Sequence, residues 1–139
     1  MNNNLYIMWG KKNEIGIPII DEQHRGVISA INSLYYSIQT GDGDKMIEPT
    51  IITLQQYVKV HFKIEEELIK KAKYPYLDEH LSLHEIFVDR IRKLSIVSSK
   101  KKDSDMVLKF LKEWWLNHIS QEDSKYAPFV KNFLGANQK

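Results

Sequence analysis

The 139-residue chain is 42% apolar and contains no cysteine, which suffices for one core in a single domain over residues 1–139 and excludes a disulfide framework, a thiolate zinc finger, a cysteine-held iron-sulfur cluster and a catalytic thiol. Twenty basic residues against eighteen acidic ones leave a net charge of +2, too little for a nucleic-acid footprint. Any bound metal must be held by nitrogen and oxygen, which turns attention to the five histidines.

Residues 1–20 read as an N-terminal arm with Trp9 as its anchor. Its apolar stretch, Ile17 to Ile20, is interrupted by Pro18 and followed by Asp21 and Glu22, so it is neither a signal-peptide core nor a membrane span. A soluble cytoplasmic protein with no membrane partner is expected. Apolar residues then recur at the three-and-four spacing of helices in four segments. The first is predicted over about 22–40, through Ile28, Ile31, Leu34, Tyr35 and Ile38, with Asp21 as N-cap. The second covers about 45–72, through Ile51, Leu54, Val58 and Leu68, with Pro49 tolerated in its opening turn. The third covers about 78–97, through Phe87, Ile91 and Leu94, and the fourth about 104–122, through Val107, Phe110, Leu111 and Trp114. A C-terminal tail, 123–139, carries Tyr126, Phe129 and Phe133. Gly41-Asp42-Gly43-Asp44, Tyr74-Pro75-Tyr76 and the polar run Ser98 to Ser104 supply the connections, with Lys100 to Lys102 as a solvated loop. Four helices of similar length with short links predict an all-α, up-down-up-down antiparallel four-helix bundle.

Extending each apolar stripe reaches a histidine every time. Ile31 and Ile28 lead back to His24; Val58 leads on to His61 and Glu65; His80 and His84 precede Phe87; Leu111 and Trp114 lead to His118. Burying five imidazoles and a carboxylate costs several kcal/mol unless each is paired or holds a metal. The topology also sets their height. In an alternating bundle the starts of the first and third helices lie level with the ends of the second and fourth, so all these residues fall in one layer. His80 and His84, four apart, share a helix face, as do His61 and Glu65. Asp123 follows His118 by five, about 140° away on a regular helix, and joins the stripe only if the helix ends or distorts there. Five imidazoles and two carboxylates exceed a tetrahedral zinc site and suit two first-row ions, with iron or manganese favoured over copper(I).

These residues resemble the hemerythrin family, and within it the bacterial hemerythrins. The resemblance runs through Trp9, Ile15-Gly16, Ile20-Asp21, Gln23-His24, His61-Phe62, Glu65-Glu66, Tyr74-Pro75, His80, His84, Trp114, His118-Ile119, Asp123 and Tyr126. It implies a non-haem di-iron centre (Fe2+/Fe3+): His80, His84 and His118 on one iron, His24 and His61 on the other, and Glu65, Asp123 and an oxo or hydroxo group as bridges. Three imidazoles and three bridging atoms make six ligands, two imidazoles make five, and the remaining position implies reversible dioxygen binding for storage, delivery or sensing. Phe62, Trp114, Trp115 and Ile119 correspond to the family's apolar pocket, with Trp115 standing where leucine is usual. Glu66 and Glu67 read as solvated surface. No general acid or base is left over beside the site, so binding rather than enzymatic turnover is expected. The alternative is a di-iron redox enzyme acting on peroxide, nitric oxide or ferrous iron. A monomer is favoured, served by an unidentified reductase or oxygen-consuming partner.

Overall fold

A computed structural model describes residues 6–137, without the side chains of residues 118–121, 136 and 137. Its long elements are α1 (Pro18–Gln39), α2 (Gly43–Lys71), α3 (Leu77–Lys100), α4 (Ser104–Trp114), a π-helical segment (Trp115–Glu122) and α5 (Asp123–Asn137). No strand occurs among the described residues, and no helix there is long and apolar enough to cross a membrane. Helices α1, α2, α3 and α4 form the bundle, with α1 packed on α2 and α4, and α3 on α2 and α4.

The helix ends depart from the expected ones for local reasons. Helix α1 starts at Pro18, whose fixed φ and missing N–H suit a first helical position. Asp21 therefore lies inside the first turn and is not the N-cap. Its carboxylate reaches back to accept hydrogen bonds from the Ile15 and Gly16 amides at 2.8 and 3.1 Å, tying the arm to the helix. Farther out, Trp9 packs against the core, with the Arg25 guanidinium 5.0 Å above its ring. The end of α1 is closed by Gly41 at φ +87, where the Gly41 and Asp42 amides bond to Ile38 and Ser37 carbonyls. Helix α2 begins at Gly43, so Pro49 sits in its second turn and forgoes one backbone bond rather than occupying the opening turn. Helix α3 runs through Ser98, Ser99 and Lys100, which shortens the expected polar loop to Lys101–Asp103. There the Asp103 carboxylate caps α4 by accepting from the Met106 amide. The predicted fourth helix changes to π geometry after Trp114, and the expected tail is the helix α5, which continues through Pro128.

Apolar packing divides into two clusters. One contains Val27, Leu34, Leu54, Val58, Phe62, Phe87, Ile91, Leu111 and Trp115. The other contains Ile17, Ile20, Ile69, Tyr74, Tyr126 and Val130. Predicted polar residues fall between members of the two clusters: His24 between Ile20 and Val27, Glu65 between Phe62 and Ile69, Asp123 between Trp115 and Tyr126. The bundle thus encloses a polar layer between two dry ones.

Candidate metal centre

Six of the seven predicted ligand residues come together in that layer. His24, His61, Glu65 and Asp123 form one group of potential ligand atoms, all within 4.8 Å of one another, and Glu65, His80 and His84 form a second. Glu65 belongs to both. All six residues are 3% exposed or less. The seventh, His118, has its backbone in the π segment while its side chain lies outside the described residues. The same holds for Ile119.

The Nε2 atoms of four imidazoles face the two carboxylates. His24 Nε2 lies 3.0 Å from Asp123 Oδ2, His61 Nε2 3.2 Å from Glu65 Oε2, and the Nε2 atoms of His80 and His84 lie 2.6 and 2.7 Å from Glu65 Oε1. His80 also stands 3.3 Å from Asp123 Oδ1. Behind this layer, the Nδ1–H of His84 donates to Glu66 Oε2 at 2.7 Å, and the Nδ1–H of His61 donates to Gln23 Oε1 at 2.7 Å. The Tyr126 hydroxyl donates to Glu65 Oε2 at 2.8 Å.

These bonds fix tautomers, with a consequence for what fits between the groups. A neutral imidazole that donates from Nδ1 carries its lone pair on Nε2. For His61 and His84 that lone pair points at a carboxylate oxygen, an arrangement that repels unless positive charge stands between them. The electrostatics point the same way. Burial pushes His24 down to about 4, against the attraction of Glu65 and Asp21. Burial would also lower His80, but hydrogen bonds and charge from Asp123 and Glu65 raise it to about 10. Burial would raise Glu65, yet its bonds to His61, His80 and His84 hold it well below the usual carboxylate range. Asp123 is raised by burial and by the charge of Glu65 beside it. Two buried carboxylates that raise one another's cost of ionisation, with His24 held neutral beside them, form a site short of positive charge. The nitrogen and oxygen donors of the two groups could hold metal ions that answer that need.

The walls are aromatic. Phe62 stacks on His84 with ring centroids 3.7 Å apart and 4° between planes. Trp115, 1% exposed, meets His24 edge-on at 5.6 Å. Trp114 stacks on Phe87 at 3.9 Å, and Phe87 meets Phe62 at 5.9 Å.

Two corrections concern the surroundings. Glu66 is not merely solvated surface: its carboxylate, 36% exposed, holds a buried imidazole. Glu67 is exposed, as expected. Gln23 and Tyr126 stood in the resembling motifs without a role, and each hydrogen-bonds to a residue of the layer. No spacing rule points to Glu66 or Gln23, because each neighbours a stripe residue and is turned about 100° from it. Only the packing of a second helix brings an imidazole there.

Residues 15–130 match the hemerythrin HHE cation binding domain. A bacteriohemerythrin of Stenotrophomonas maltophilia is 34% identical over 129 residues, 92% of this chain and 84% of that protein. The myohemerythrin of Theromyzon tessulatum is 30% identical over 118 residues, 85% of this chain and 88% of that one. A crystal structure of wild-type hemerythrin shares the fold with a TM-score of 0.79 at 24% identity, covering 90% of this chain and 98% of that one. The matched domain spans the whole imidazole and carboxylate layer from His24 to Asp123, and the chain belongs to the hemerythrin family.

Proposed function

We propose that His24, His61, Glu65, His80, His84, His118 and Asp123 hold two iron ions, and that the protein binds dioxygen reversibly, as a single cytoplasmic domain for storage, delivery or sensing rather than as an enzyme. The observation that carries this reading is the pair of buried donor groups hinged on Glu65. Ferrous iron, if held by these residues, would supply the reversible electron-donating chemistry that dioxygen binding requires.

The chain's own residues do the rest. Glu65 and Asp123, each in reach of imidazoles from different helices, are suited to bridge the two ions. Tyr126 holds Glu65 Oε2 in place, and Gln23 and Glu66 hold the rings of His61 and His84 with Nε2 inward. Phe62 and Trp115, nearly inaccessible to solvent, keep water from the space beside the donor groups, which would suit reversible binding there. A reductase or an oxygen-consuming protein is the partner such a role requires.

Metal analysis paired with absorption spectra tests the reading. About two irons per chain are expected, with a spectrum that changes when oxygen is admitted to the reduced protein and reverts when oxygen is removed. One zinc per chain, or no metal, would overturn the centre. Immediate conversion to the ferric form with release of peroxide would overturn reversible binding in favour of a redox enzyme.

A further inference from the structure

The imidazoles of the layer differ in what stands behind them. His84 Nδ1 has a carboxylate partner, Glu66 at 2.7 Å. His61 Nδ1 has a neutral amide, Gln23 at 2.7 Å. His24 Nδ1 is buried with no hydrogen-bond partner among the described residues. A carboxylate behind a ligating imidazole draws its N–H proton outward and strengthens Nε2 as a donor, whereas an amide orients the ring with less effect on its basicity.

We propose that Glu66 is a positioning residue that widens the difference between the two halves of the centre, so that the half containing His80 and His84 binds its metal ion first and more tightly than the half containing His24 and His61. This rests on the reading of the layer as a two-metal site. Two contacts constrain His84 together: Phe62 stacked on its face sets the ring plane, and the Glu66 bond sets the rotation within that plane. Glu66 follows Glu65 in α2 and is turned about 100° around the helix, so one turn of backbone supplies both a carboxylate that faces the ions and one that supports their imidazole from outside. Glu66, Phe62 and His84 line an open groove of about 550 Å³ between α2 and α3, bordered by Lys59, Lys63 and Arg92. The supporting carboxylate is therefore replaceable without opening the core.

Cobalt(II) titration of the metal-free protein under anaerobic conditions, followed by absorption and calorimetry, reads the two halves separately and needs no oxygen activity. The parent protein should take up cobalt in two resolved steps. Glu66→Gln should weaken the tighter step by about 10–100-fold and leave the weaker one unchanged. Gln23→Glu, which sets a carboxylate behind His61, should tighten the weaker step and narrow the gap. Unchanged steps in Glu66→Gln, or equal weakening of both, would overturn the proposal. Urea unfolding of metal-free Glu66→Gln should match the parent, and a large loss there would reassign Glu66 to a purely structural role. Failure of the parent to bind cobalt at all would instead remove the two-metal reading beneath it.

Discussion

Replacing Tyr126 by Phe removes one oxygen atom from the centre and nothing else. The residue is fully buried, its hydroxyl donates to Glu65 Oε2 at 2.8 Å, and its ring packs edge-on against His80 at 5.3 Å and Tyr74 at 6.3 Å. Phe keeps those ring contacts. The oxygen left behind on Glu65 then faces the lone pair of His61 Nε2 at 3.2 Å, which offers no replacement donor, so the loss is that of a hydrogen bond to a buried charged acceptor, about 1.5–3 kcal/mol. With a urea dependence of roughly 1–3 kcal/mol per molar, the unfolding midpoint of the metal-free protein should fall by about 1 M. In the metal-loaded protein a cation beside Glu65 takes up part of the charge on that oxygen, so the fall should be smaller. Tyr36→Phe, at a residue 59% exposed, should shift neither form. A metal-free Tyr126→Phe protein within about 0.5 kcal/mol of the parent, or a loss just as large in Tyr36→Phe, would refute the assignment of Glu65 as a buried charged acceptor.

Trp115→Leu should speed oxygen association and autoxidation in stopped-flow measurements, because the 1%-exposed indole that closes against His24 and Trp9 gives way to a smaller side chain. Equal rates would show that this residue does not gate the pocket. His118→Ala should lower iron content by at least one ion per chain, while Glu67→Ala, at an exposed position, should leave it intact; full loading of both would remove His118 from the ligand set. The metal-free protein should lose stability as pH rises from 7 to 10. His80 binds its proton up to about 10 when folded against 6.5 unfolded, and Asp123 up to about 8 against 3.8; for both, the folded state holds the proton longer, so stabilisation disappears as pH climbs through the folded values. A urea midpoint that rises over that range would contradict these directions.

How legible the centre was in the sequence depended on whether a residue lay on an apolar stripe. His24, His61, Glu65, His80 and His84 could be placed because helical periodicity carries each stripe onto them, and the alternating topology sets their common height. Glu66 escaped because its partner is on α3, and no single-helix pattern records a contact made across two helices. Helix ends failed where local chemistry outweighed composition: Pro18 starts α1 although it interrupts an apolar run, and the polar Ser98 and Ser99 are accommodated in α3, Ser98 buried and both hydroxyls satisfied on the Ser95 and Ile96 carbonyls. The aromatic residues after Pro128 were read as a tail because proline inside a helix forgoes a backbone bond. In α5 that cost is offset by burying Tyr126, Ala127 and Val130 against Ile17, Ile20 and Ile69.

Asp123 shows how tertiary demands reshape a helix. Nine residues separate it from Trp114, and at about 100° per residue a regular helix would leave the two about half a turn apart. Both are nevertheless buried, Trp114 against Phe87 and Asp123 against His24 and His80. The π segment Trp115–Glu122 reconciles them: hydrogen bonds from i to i+5 put more residues into each turn and bring positions five apart, such as 118 and 123, toward one face. That wider turn is the distortion Asp123 needs to join the polar layer. A shift of its register should therefore cost metal rather than fold. Inserting one alanine after Leu116, which is 47% exposed, adds a rotation of about 100° between Trp114 and Asp123. The insertion variant should keep its helical circular dichroism and fall from about two ions per chain to one or none, while Leu116→Ala, which keeps the length, should remain loaded. Full loading of the insertion variant would mean that the register of this segment does not set the position of Asp123.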